Sequence, residues 1–118
     1  MKQPDPSNPF KFEVNTGEVV TMVFTPIGVG PFVDIAVDGE SLPNTGGATP
    51  TFMFSVTKSV GQTHFGHARC DFPAGTGSDA KYKSKISGSL GGSFDGPTIF
   101  KDDPSGEFDL QWKVTAAQ

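Results

Sequence analysis

Apolar and polar residues alternate along most of this chain with a period of two. Phe10, Phe12 and Val14 fall on one side of Lys11, Glu13 and Asn15, the signature of a half-buried strand. Thr16-Gly17 supplies a turn. Residues 18–25 are rich in β-branched and aromatic types and carry apolar groups on both faces, Val19 and Val23 opposite Val20, Met22 and Phe24. That pattern predicts a central strand, ended by Pro26, which has no ladder donor. Over residues 32–38, Val33, Ile35 and Val37 point one way, and Phe32, Asp34, Ala36 and Asp38 the other. Asp38-Gly39 is a strong turn signal.

The second half continues the alternation. Phe52, Phe54 and Val56 point inward from residues 51–57, with Met53 outward. Residues 62–72 are extended but out of phase. Ala68, Cys70 and Phe72 share one face and Phe65 falls on the other, so a β-bulge at Gly66 is expected to reset the register. Residues 80–90 set Tyr82, Ile86 and Leu90 against the stripe Lys81, Lys83 and Lys85, read as protection of a sheet edge. Phe94 opens a short segment, and Ile99-Phe100 begins another. The cleanest strand is the last, with Phe108, Leu110, Trp112 and Val114 inward.

Seven to eight short strands at regular spacing, with no apolar period of 3.6, predict an all-β antiparallel sandwich, immunoglobulin-like in architecture, with a small barrel as the alternative. The domain is placed at residues 10–115. Residues 1–9 hold three prolines and are expected to form a flexible arm, and residues 116–118 to fray.

The composition fits one such domain. The 118 residues include 15 glycines and 10 prolines for turns and 11 phenylalanines for a core. The net charge of −4 argues against a nucleic-acid duplex or an anionic membrane as partner, and no stretch is long and apolar enough to span a bilayer. The opening MKQPDPSNPF lacks the apolar centre of a signal peptide. The chain reads as cytoplasmic as it stands, or as secreted where a leader has been removed. Cys70 is the single cysteine, which excludes an internal disulfide and fits a small buried hydrophobe.

Candidate chemistry concentrates in one segment. His64, His67 and Cys70 are good zinc or copper ligands, but a regular strand sends His67 to the face opposite His64 and Cys70. A thiol nucleophile would need the same distortion. Asp102, Asp103, Glu107 and Asp109 bring calcium-type oxygen ligands to a bend. They match no EF-hand, and Pro104 restricts their wrapping, so the solvated turn is the preferred reading. Asp34, Asp38 and Glu40 make a weaker acidic patch. No phosphate loop, dinucleotide fingerprint or nucleophile elbow is present. No cofactor is expected. The leading expectation is a non-enzymatic module acting by protein contact or self-association, with Phe32, Met53, His64, Phe65 and His67 as candidate contact residues. A carbohydrate-binding module ranks second, since Phe32 and Phe65 are the aromatics on outward phases. A small hydrolase or metal-binding protein using residues 64–70 ranks third.

Overall fold

The computed structural model describes residues 1–101 and 106–116. Asp102 and Asp103, and the tail residues 117–118, lie outside the described residues. The described residues form strands β1 (Lys2–Asp5), β2 (Phe10–Val14), β3 (Val19–Ile27), β4 (Val33–Val37), β5 (Glu40–Ser41), β6 (Thr51–Ser55), β7 (Thr63–Cys70), β8 (Lys81–Gly88), β9 (Ser93–Asp95), β10 (Ile99–Phe100) and β11 (Glu107–Val114), with no helix. They build two open sheets packed face to face, in the orders β1-β2-β11-β7-β4-β5 and β10-β8-β3-β6, with β9 also paired to β8. The chain is therefore a β-sandwich and not a closed barrel.

The core between the layers is aromatic. Phe12 stacks on Trp112 at 5.9 Å, Phe54 meets the same indole edge-on at 4.8 Å, and Phe24 lies against Phe52 and Phe108. Trp112, Val20, Met22 and Tyr82 are fully buried. Each comes from an inward phase of its strand, so local alternation and burial agree along β2, β3, β8 and β11.

Several expectations change once neighbours are known. One pair of strands is parallel: β11 runs alongside β2 with Leu110 beside Phe10 and Val114 beside Val14. Alternation is the same in parallel and antiparallel strands, so the pattern is blind to this choice. Residues 2–5, expected within a loose arm, pair with β2 as an edge strand. The Met1 ammonium reaches Glu18 Oε2 at 3.0 Å. No bulge occurs at Gly66, because β7 stays in unbroken register with both β11 and β4. Gly66 faces inward, where a Cβ would fall 2.6 Å from Trp112 Cζ3. The indole takes the space of the missing side chain, and Phe65 points out because its phase requires it. Leu90 lies beyond the end of β8 and is exposed. The lysine stripe stands on the outer face of β8, which is paired on both sides. It wets a face and guards no edge.

Candidate functional site

Strand β7 divides the candidate residues between the two sides of its sheet. Thr63, Phe65, His67 and Arg69 point outward, and His64, Gly66, Ala68 and Cys70 are buried. On the outer face His67 stands beside Asp109 of β11. Its Nδ1 lies 2.7 Å from Asp109 Oδ1 and its Nε2 3.3 Å from Glu107 Oε1. The hydrogen bond to Asp109 raises the imidazole pKa above its ordinary value, against a smaller opposing effect of burial, and Glu107 adds to the rise. Both ring nitrogens donate only when the ring is charged. Glu107 and Asp109 are therefore brought together by a histidine, on opposite sides of its ring, and do not converge on a point that a cation would occupy. No group of three or more His, Cys, Asp or Glu side chains among the described residues is arranged to hold a metal ion. A shallow recess of about 360 Å³ adjoins His67, lined by Asp34, Ala36, Ser41, Leu42 and Arg69 among others, with no aromatic wall.

The inner side holds a second arrangement. His64 is buried, and its Nδ1 donates to Asp38 Oδ2 at 2.6 Å. The same carboxylate accepts the Phe65 N–H at 2.9 Å and the Lys58 ammonium at 3.3 Å. Burial pushes the Asp38 carboxyl upward, but these three donors outweigh it and hold the group below its ordinary range. Asp38 occupies the turn after β4 with a φ of 52°, in the left-handed region, which Asp tolerates better than most residues. Cys70 shares the inward face with His64 but lies six residues along the strand, roughly 20 Å away at ~3.3 Å per residue. Burial pushes its thiol up to about 12. The thiol and the imidazole do not form a nucleophile–base pair.

Of the other predicted residues, Phe32 is exposed just before β4, and Phe65 is exposed with the Lys58 ammonium 6.0 Å from its ring centroid. Met53 is exposed on β6, which is paired only to β3 and ends its sheet. The pairing of β6 fixes which way its backbone faces. Val56 N–H donates to Glu18 O and Phe24 N–H donates to Pro50 O. The register places Phe54 opposite Val20 and Phe52 opposite Met22 in the same phase. Hydrogen-bonded pairs alternate in an antiparallel ladder, so Phe52 and Phe54 spend their backbone groups on β3. Those of Thr51, Met53 and Ser55 face the open side. Thr51 confirms the direction: its N–H donates to Asn44 Oδ1 and its carbonyl accepts from Thr45 N–H.

Two carboxylates take partners that the alternation does not indicate. Glu18 is fully buried, and accepts from the N–H groups of Asn15 and Leu90 as well as from Met1. Asp38, a turn residue and a member of the weak acidic patch on sequence grounds, is also the partner of His64. No signal in the local pattern marks the Glu18 contacts with Met1 and Leu90 or the Asp38 contact with His64, because these partners lie 17, 72 and 26 residues away along the chain. Among the described residues no helix is long and apolar enough to cross a membrane. Comparison with protein-family models, with curated proteins and with solved structures returned no match, so any functional reading rests on the geometry above.

Proposed function

We propose that this domain is a non-catalytic binding module that works by protein contact, made along the open edge of β6. The observation that carries the reading is the unpaired backbone of Met53 and Ser55 beside an exposed Met53 side chain. Unpaired N–H and C=O groups in a row are a template for another strand. The remaining sheet edges among the described residues carry devices that discourage such pairing. β1 contains Lys2, Pro4 and Asp5, β5 has two residues beginning with Glu40, and the far edge of the smaller sheet is divided between the short strands β9 and β10. The sequence of β6, TFMFS, has no charge and no proline.

A glycan reading stands second, favoured by the exposed rings of Phe32 and Phe65. A peptide selection tests the β6 reading. Panning a library of displayed random peptides against the immobilised domain should enrich extended segments. Their binding should be lost in Ser55→Pro and kept in Phe65→Ala. Binders that ignore Ser55→Pro and require Phe65 would overturn the β6 reading and move contact to the outer face of the larger sheet.

A further inference from the structure

The open edge of β6 has a defined extent. At its start Thr51 is closed off by Asn44 and Thr45. Beyond its end Thr57 is exposed and, among the described residues, makes no backbone hydrogen bond, while the carbonyl of Lys58 accepts from the Thr16 hydroxyl. The free groups of β6 belong to Met53 and Ser55, and a strand continued in the same phase past Ser55 adds Thr57, three residues spaced by two. Such a set is self-complementary about a two-fold axis through Ser55. An antiparallel second copy sets Ser55 opposite Ser55 and Met53 opposite Thr57. Every free donor then meets a free acceptor, giving about six backbone hydrogen bonds. Sliding the register to centre on Met53 brings Ser55 against the blocked Thr51 and leaves Thr57 unpaired. Residues 51–57 carry no charge, so two copies meet there without like charges opposed, although each has a net charge of −4.

We infer that β6 pairs antiparallel with β6 of a second copy of this chain, Ser55 opposite Ser55, joining the two smaller sheets into one continuous sheet. The inference rests on the reading of β6 as a contact edge and adds its occupant and register. A single strand pairing buries little surface, so the dimer is weak, with Kd on the order of 100 µM.

Sedimentation velocity on the full chain from about 10 µM to about 1 mM brackets that value. A dimer fraction rising with concentration is expected, and its loss in Ser55→Pro. Proline there costs no bond to β3, because the Ser55 N–H faces outward. Met53→Lys, a charge on the edge that leaves the backbone alone, should also abolish the dimer. In Ser55→Cys the opposed Cα atoms would lie about 5.5 Å apart, within reach of a disulfide, while Cys70 stays silent in the core. Amide exchange at Met53, Ser55 and Thr57 should slow as concentration rises, with Phe52 and Phe54 protected throughout. A chain that stays monomeric and fails to cross-link through Ser55→Cys overturns the inference, as does a dimer that survives both edge variants. Monomeric protein whose selected peptides still depend on Ser55 would sink self-pairing alone. Monomeric protein whose peptides ignore Ser55 would sink the contact-edge reading as well.

Discussion

Trp112 carries more of the core than any other single residue. Its indole stacks on Phe12, meets Phe54 edge-on and fills the space over Gly66. Truncating a side chain buried to this degree removes transfer free energy and leaves a cavity, a loss of about 3–5 kcal/mol. A domain of this size has roughly 5–15 kcal/mol in all. Trp112→Ala should therefore bring the protein near unfolding, whereas Lys113→Ala, on the wet side of the same strand, should move stability by less than about 0.5 kcal/mol. Denaturation midpoints of the two variants test this. An unchanged midpoint in Trp112→Ala, with red-shifted emission from the native tryptophan, would contradict the packing. Cys70 and Trp112 were assigned to the core from their phase alone, and both are buried. His64 and His67 differ more. They are three residues apart, so strand geometry places one in the interior beside Asp38 and the other outside between two carboxylates.

At the scale of the element, the hairpin joining β4 to β5 is held by Asp38. Asp38→Ala puts a residue poorly suited to φ of 52° in the turn and leaves the buried Nδ1 of His64 without its acceptor. The combined cost should be about 2–4 kcal/mol, the range for orphaning a buried partner of a charged group. The carboxyl also links stability to pH. Its folded pKa is lowered, so its contribution is complete above the pKa of the unfolded chain and is lost as pH falls through the folded value. Wild type should thus lose more stability on acidification below about pH 4 than Asp38→Asn does. Equal acid slopes in chemical denaturation would show that the pairing with His64 and Lys58 stabilises nothing. The same scale explains the lysine stripe. Lys81, Lys83 and Lys85 alternate with buried residues as the pattern predicts, yet β8 is flanked by β3 on one side and by β9 and β10 on the other. Position within the sheet, and not composition, decides which strand is an edge.

For the whole molecule, the two layers make Cys70 a reporter of global opening. The thiol is buried at the end of β7, its pKa is pushed up to about 12, and β7 is the strand between β11 and β4. Labelling by a thiol reagent should be slow in the native state, fast after unfolding, and accelerated in Trp112→Ala by about tenfold for each ~1.4 kcal/mol of stability lost. Rapid labelling of the native wild type would mean that this end of the sandwich opens on its own. The sequence by itself determined the all-β class, the inward set Phe12, Val20, Phe24, Phe108, Leu110 and Trp112, and the outward phase of Phe32, Met53 and Phe65. These follow from side chains alternating every residue along a strand and from the free energy of burying aromatic surface, both of which are local. Only the tertiary structure decided that β2 and β11 run parallel, that Gly66 faces inward beneath Trp112 and not into a bulge, that Asp38 closes on His64, and that β6 ends its sheet. Each of these depends on which strands become neighbours. Strand order is set by contacts between residues far apart in the chain, and a period of two is the same whichever neighbour the strand acquires.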